Sequence, residues 1–288
     1  MTASLPPIRV LALTALALCA FAANSLLCRW ALADPRIDAV SFTSVRLLTG
    51  ALSLWLLLGW LGGERPPPRP GRRWLPAAML FAYAIAFSLA YLSLSAGTGA
   101  LILFGCVQLT MLLAGLRGGE RPSPRQWTGL LLAFAGLAWL VAPGVTAPSP
   151  SGAALMAIAG IAWGVYSLLG RGAENPALTT ARNFVRAVPF ALAASLLALP
   201  HVSISPQGLL LATLSGALAS GLGYIVWYAA LPSLTATRAA SVQLAVPVLT
   251  AVAGVALLGE PLTPRLIAAG GVILGGIALA VFGSAPQR

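Results

Sequence analysis

Long apolar runs, separated by short polar or proline-bearing segments, follow one another along nearly the whole chain. A helix needs about 20 residues to cross roughly 30 Å of hydrocarbon. Ten runs approach that length: Val10 to Leu32, Ile37 to Leu61, Trp74 to Leu94, Thr98 to Leu116, Pro124 to Ala142, Gly152 to Leu169, Thr179 to Leu199, Gln207 to Leu231, Thr237 to Leu258 and Pro264 to Phe282. Proline marks most of the breaks, at Asp34-Pro35, in the run from Arg65 to Pro70, at Arg121-Pro122-Ser123-Pro124 and at Ala147-Pro148-Ser149-Pro150; it removes a backbone donor and clashes with the preceding turn, so a helix stops there. The joint at Ser95-Ala96-Gly97 is the weakest of the predicted breaks. The first run superficially imitates a secretory signal, with Arg9 ahead of it and Ala31-Leu32-Ala33 at its end. It is read instead as a membrane helix, because it is longer than a signal core and Arg29-Trp30 stands where a cleavage site wants small, neutral residues.

Composition changes the picture from a helical protein to one that lives in lipid. Only 8% of the residues are charged and 59% are hydrophobic, against roughly 25% charged in a soluble domain. A surface so poor in charge is unstable in water and stable in a bilayer.

The runs are not independent. Ser25-Leu26-Leu27-Cys28-Arg29 recurs as Ser167-Leu168-Leu169-Gly170-Arg171, Val45-Arg46 recurs as Val185-Arg186, and Gly119-Glu120 with Pro124-Arg125 recurs as Gly259-Glu260 with Pro264-Arg265, about 140 residues on. Two five-helix repeats are therefore expected, 1–146 and 147–288, forming one integrated transport domain. All 17 basic residues are arginine, and with a cytoplasmic amino terminus thirteen of them fall inside against Arg29, Arg36, Arg46 and Arg265 outside. The positive-inside bias then places both termini in the cytoplasm. Five is odd, so the second repeat enters the membrane upside down relative to the first. The expected fold is an all-α integral membrane protein of ten transmembrane helices, a 5+5 inverted-topology repeat around a central cavity, which is a plan suited to transport by alternating access.

The net charge of +11 does not point to nucleic acid, because the arginines are scattered over short loops; anionic lipid headgroups are the better partner. Catalytic chemistry is missing as well. Asp34, Asp38, Glu64, Glu120, Glu174 and Glu260 all fall in loops or at helix ends, and there is no lysine. Cys19, Cys28 and Cys106 lack the paired spacing of a metal or redox site, and His201 falls in an outer loop. Ser215-Gly216 reads as close helix packing rather than as a nucleophile. Glu120 and Glu260 fall on opposite sides of the membrane, each ordering the turn after a helix. Neither an enzyme, a cofactor nor a metal is expected, and no intramembrane carboxylate is available to relay protons.

Polar and aromatic groups remain at membrane depth. The candidate substrate-binding residues are Asn24, Tyr83, Phe87, Tyr91, Gln108, Trp163, Tyr166, Ser167, Tyr224, Trp227, Tyr228 and Gln243. Tyr83, Phe87 and Tyr91 are spaced by four, as are Tyr224 and Tyr228, so each set forms a stripe down one helix face. Trp30, Trp60, Trp74 and Trp127 lie at helix ends and read as interfacial anchors. Arg46 and Arg186 are further candidates; the preferred reading is that each snorkels to an interface or caps carbonyls.

Gly259-Glu260-Pro261-Leu262-Thr263-Pro264-Arg265, leading to Gly270-Gly271 and Gly275-Gly276, closes the second half. With ten helices, it resembles the EamA-type proteins of the drug/metabolite transporter superfamily, and the resemblance covers essentially the whole chain. It implies a bacterial inner-membrane carrier whose central cavity is formed mainly by the third, fourth, eighth and ninth helices, commonly exporting amino acids or related metabolites. Proline is typical of the fourth and ninth helices of such proteins; Pro247 fits, whereas Val107 stands at the corresponding earlier position. Within the superfamily the chain looks somewhat like the aromatic amino-acid exporters. Export of other metabolites or hydrophobic drugs, or flipping of a lipid-linked substrate, is the alternative. A monomer is the simpler expectation, since ten helices with an internal repeat complete a pathway in one chain.

Overall fold

The computed structural model describes residues 6–34, 36–60, 74–118, 123–144, 147–170, 173, 175–234 and 242–282. They form helices α1 (Pro7–Ala33), α2 (Ala39–Trp60), α3 (Leu75–Ala90), α4 (Ala96–Arg117), α5 (Pro124–Val141), α6 (Pro150–Leu169) and α7 (Pro176–Leu197). The eighth helix, α8, runs through Pro206–Leu214, a π-helical segment Ser215–Leu222 and Gly223–Ala230; α9 (Ala245–Leu258) and α10 (Pro264–Phe282) complete the bundle. The chain is a multi-pass membrane protein. Five spans are both long and apolar enough to cross a bilayer on length and composition alone: Ile8–Ala33, Ala39–Trp60, Ala96–Arg117, Pro150–Leu169 and Pro206–Ser233. Leu75–Ala90, Ala245–Leu258 and Pro264–Ala280 are apolar but shorter.

The prolines that stop one helix also start the next. α5, α6, α7 and α8 each carry proline in the first turn, preceded by Ser123, Ser149, Asn175 and Ser205, whose side chains accept from a backbone N–H of that turn. The ring presets the helical φ while the capping oxygen satisfies an orphan donor. The weak joint between the third and fourth runs is a true break. α3 ends at Ala90, a turn follows, and Ser95 caps α4 by accepting from the Thr98 N–H. The start expected near Thr237 for the ninth helix, and the arginines and glutamates at 64–73, 120–121, 171, 174 and 238, lie outside the described residues.

Packing repeats between the halves. The α3–α6 contact corresponds to α8–α1, α4–α6 to α9–α1, and α2–α8 to α7–α3, while α2–α7, α4–α9 and α5–α10 pair equivalent helices with one another. α1 is thus woven between α8 and α9 rather than lying apart as a leader would. The closest approaches use glycine. A Cβ on Gly216 would meet the Thr49 hydroxyl and the Arg46 carbonyl of α2, and one on Gly129 would meet the Gly276 carbonyl of α10. Leu52, Leu56, Phe134 and Leu196 point outward on the bundle surface, as lipid requires and water forbids. Trp30, Trp60, Trp74 and Trp127 are exposed at helix ends.

Candidate functional site

A cavity of about 700 Å³ lies between the halves. Its wall takes Asn24 and Ser25 from α1, Tyr83 and Phe87 from α3, Gln108 from α4, Trp163, Tyr166 and Ser167 from α6, Tyr224, Trp227 and Tyr228 from α8, and Gln243 ahead of α9. It extends to the ends of helices marked by Gln126, Gly170, Pro176, Leu231 and Ala280. The opposite end is tied shut.

The aromatic groups form a connected ladder. Tyr83 lies 4.8 Å from Trp163, centroid to centroid, and Trp163 stacks on Tyr224 at 5.6 Å and meets Tyr166 at 5.2 Å. Tyr224 continues to Tyr228 at 6.4 Å, and Tyr83 to Phe87 at 5.4 Å. The stripes on α3 and α8 therefore meet through Trp163 rather than directly. Offset and edge-on ring pairs of this kind each contribute about 0.5–1.5 kcal/mol beyond burial, which holds the wall in shape.

Tyr91 departs from the expected set. It is fully buried, makes an edge contact with Phe87 at 4.7 Å and donates its hydroxyl to the Ala96 carbonyl at 3.3 Å, behind Gly99. The spacing of four is correct, but the α-helix ends at Ala90, and Tyr91 packs the turn into α4 instead of the cavity.

A polar network backs the inner wall. The Ser215 hydroxyl donates to Asn24 Oδ1 at 2.6 Å, Asn24 Nδ2 donates to the Tyr83 hydroxyl at 3.3 Å, and Arg46 Nη2 donates to the same hydroxyl at 2.9 Å. Arg46 Nε reaches Ser220 Oγ at 3.4 Å, in the π-helical segment of α8. Arg46 is only 2% exposed and donates to no carbonyl among the described residues, so it neither snorkels nor caps there, against the sequence-based preference. The polar residues Thr180, Asn183 and Ser220 also line the cavity and were not singled out by sequence reasoning. Ser220 sits in a run of small residues that reads as packing, and Asn183 lies one residue from Arg182 in the least apolar part of α7. The Thr180 hydroxyl lies 3.0 Å from that of Tyr228.

The closed end carries the ion chemistry. Arg29 Nε meets Glu260 Oε1 at 3.0 Å, Glu260 Oε2 accepts from the Ala96 N–H at 2.8 Å, and Arg29 Nη1 donates to the Tyr91 carbonyl at 2.9 Å. Gly259, in the left-handed region at φ +65°, ends α9 and turns Glu260 back into this cluster; such a turn favours glycine. Between the halves, Asp38 caps α2 by accepting from Val40 and Ser41, and its second oxygen accepts from the Ser203 N–H at 3.0 Å. Burial alone would raise the Asp38 carboxyl, but the bonds from Ser41, Ser203 and Val40 outweigh it and hold the group below the ordinary carboxylate value. Arg265 Nη2 donates to the Ala142 carbonyl across the α5–α10 pair.

The cavity can take a flat apolar group against its rings and hydrogen-bond a polar group at its base. Among the described residues, no carboxylate lines it and no cluster of His, Cys, Asp and Glu is placed to hold a metal.

A family model described as "EamA-like transporter family" matches residues 8–142 and again 150–282. An uncharacterized protein of Pseudomonas aeruginosa is 56% identical over 275 residues, 96% of this chain and 95% of its own. The threonine/homoserine exporter RhtA of Escherichia coli is 36% identical over 171 residues, 56% of each chain. A probable terminal-alkyne amino-acid exporter of Streptantibioticus cattleyicolor is 27% identical, over 87% of this chain and 89% of its own. A crystal structure at 18% identity superposes over 98% of this chain and 100% of its own with a TM-score of 0.71, a likeness of fold. Two matches of one family model, on two halves whose helix contacts repeat, make this chain a member of the EamA-like transporter family, within the drug/metabolite transporter superfamily.

Proposed function

We propose that this protein is a bacterial inner-membrane exporter of amino acids, with aromatic or hydrophobic amino acids as its preferred substrates and related metabolites as minor ones. The observation that carries this reading is the ladder Tyr83–Trp163–Tyr224 on one wall of a cavity of about 700 Å³, a volume within the usual range for a small-molecule site. An aromatic or aliphatic side chain gains apolar contact there, and its polar end meets the Asn24, Gln108, Ser167 and Gln243 side chains. The names of the relatives, a threonine/homoserine exporter and a probable amino-acid exporter, support the amino-acid class.

Transport proceeds by alternating access. The substrate binds near the midplane, the halves 1–146 and 147–288 rock about it, and the ties at Arg29–Glu260 and Asp38–Ser203 open as the present mouth closes. With the amino and carboxyl termini in the cytoplasm, the open mouth faces the cytoplasm, the side from which an exporter loads. No proton relay through a carboxylate runs across the cavity, the chain works as a monomer, and it catalyses no covalent step.

The test is flux in proteoliposomes of purified protein, comparing labelled tryptophan and phenylalanine with threonine, a purine and a quaternary cation, each with and without a pH gradient. Saturable flux of the aromatic amino acids that persists without the gradient is expected. Threonine flux in preference to the aromatic pair would move the substrate to the chemistry in the name of the Escherichia coli relative. Flux of the cation alone, under a gradient, would refute the reading.

A further inference from the structure

Arg46 is a buried cation that does not itself line the cavity, and its charge is unanswered. Among the described residues no carboxylate pairs with it; Arg29 takes Glu260 and Arg36 takes Asp34. Removing a guanidinium from water without a counter-ion carries a penalty of several kcal/mol, and an ionisable group at membrane depth marks a functional site by default. What the protein supplies in compensation is partial. The guanidinium carbon lies 5.2 Å from the ring centroid of Tyr83 and 5.1 Å from that of Phe87, an attraction to the ring faces. Nη2 and Nε reach the hydroxyls of Tyr83 and Ser220, but Nη1 is buried with no hydrogen-bond partner. A buried orphan donor is rare enough in folded proteins to require a reason.

The neighbours supply that reason. Tyr83, Phe87 and Ser220, which Arg46 meets through hydrogen bonds or a ring face, are all lining residues of the cavity. The Tyr83 oxygen already accepts from both Asn24 Nδ2 and Arg46 Nη2, which occupies its two lone pairs, so its own O–H is left to donate. A permanent positive charge and an unspent guanidinium donor thus stand directly behind the cavity wall, beside a phenol hydrogen on a residue that lines it. These are the parts of an anion site, and the planar fork of arginine matches the two oxygens of a carboxylate. A structural arginine would instead close on a carbonyl or a carboxylate of its own chain.

We propose that Arg46, assisted by the Tyr83 hydroxyl, is the specificity-determining group that binds the carboxylate of the transported molecule. The assignment rests on the export reading above and sharpens it: the substrate class is carboxylate-bearing, and the same side chain without the carboxylate is a poor substrate. The bound carboxylate neutralises Arg46 in the occluded complex and releases the guanidinium from Tyr83, while the rings of Trp163 and Tyr224 hold the side chain.

The test uses matched pairs in proteoliposomes: phenylalanine against phenylalaninamide, and threonine against threoninamide, for the wild type, Arg46→Gln and Tyr83→Phe. The wild type is expected to move the better acid at least tenfold faster than its amide. Arg46→Gln should bring that ratio close to one, and Tyr83→Phe, which keeps the ring and removes the hydroxyl, should lower it several-fold. Where Arg46→Gln fails to reach the membrane, Tyr83→Phe carries the test. A wild-type ratio near one, or a ratio unchanged in a recovered variant, overturns the assignment while leaving amino-acid export in place. A wild type that moves no member of either pair overturns the export reading, and the assignment falls with it.

Discussion

Arg29 and Glu260 meet at 3.0 Å across the closed end of the cavity, joining the first helix of one half to the turn that ends the fourth helix of the other. The pair is mostly buried, with side-chain exposures of 22% and 12%, and it is anchored by two further bonds, to the Ala96 N–H and the Tyr91 carbonyl. Charge-assisted bonds at a site of this kind are each worth about 1.5–3 kcal/mol. Glu260→Gln is therefore expected to shift the carrier toward the state open at that end by roughly tenfold, since about 1.4 kcal/mol suffices for that. Cys28, fully buried one residue from Arg29, reports the change. In a background with Cys19 and Cys106 replaced by alanine, an impermeant thiol reagent added on that side should label the variant much faster than its parent. Equal labelling would mean that the pair does not hold the closure.

The ring ladder gives a second prediction. Trp163 is in ring contact with Tyr83, Tyr166 and Tyr224 at once. Trp163→Ala and Tyr83→Ala should each raise KM for an aromatic substrate by roughly tenfold, the loss of a ring contact plus its buried area, with normal insertion into the membrane. Trp127 lies exposed at the start of α5, and Trp127→Ala should leave transport nearly intact. Identical kinetics in all three variants would refute the assigned wall.

Most of the fold is legible in the sequence, for a physical reason. Lipid imposes one solution, a helix per apolar run, and Ser-Pro or Asn-Pro at the starts of α5, α6, α7 and α8 encodes the boundaries within a few residues. The repeat is legible as well, because Gly-Glu followed by Pro-Arg occurs at Gly119-Glu120 with Pro124-Arg125 and again at Gly259-Glu260 with Pro264-Arg265. Tyr91 and Arg46 are harder. A spacing of four describes a face only while the helix lasts, and α3 stops one residue before Tyr91. The sequence holds a cost for Arg46 but no direction, since its surroundings come from α3 and α8, far along the chain. The π-helical segment at Ser215–Leu222 leaves no composition signal beyond its glycines, yet it sets Ser215 and Ser220 against Asn24 and Arg46.

Glycines within the second half of the bundle should differ sharply in tolerance. A Cβ on Gly216 would overlap the Thr49 hydroxyl and the Arg46 carbonyl, which is backbone and cannot step aside. Gly216→Ala must push α8 from α2, an overpacking that costs about 1–3 kcal/mol. Gly271 and Gly275 have nothing within 4 Å of such a Cβ, and alanine there should be neutral or slightly stabilising through helix propensity. Thermal unfolding of the three variants in detergent, followed by size-exclusion recovery, separates the cases. Equal melting temperatures for Gly216→Ala and Gly271→Ala would show that α2 and α8 do not touch in the working protein.

The turn between α1 and α2 should respond to acid in a defined direction. Asp38 is held below its ordinary value by the bonds it accepts from Ser41, Ser203 and Val40, despite the opposing effect of burial. A depressed carboxyl contributes its stability above its unfolded pKa, near 4, and loses it only as pH falls through the lower folded value. Between pH 5 and 8 Asp38 is therefore ionised throughout, and the tie to the α7–α8 turn, with the Ile37–Ile204 bridge beside it, should not change. Hydrogen exchange at the Ser41 and Ser203 amides, corrected for intrinsic rates, should show constant protection over that range and a decline below about pH 4. Asp38→Asn should weaken both amides at every pH and remove the acid step. An inflection in their protection between pH 5 and 8 that disappears in Asp38→Asn would show the carboxyl to be raised rather than lowered, and would make this turn a place where protons act.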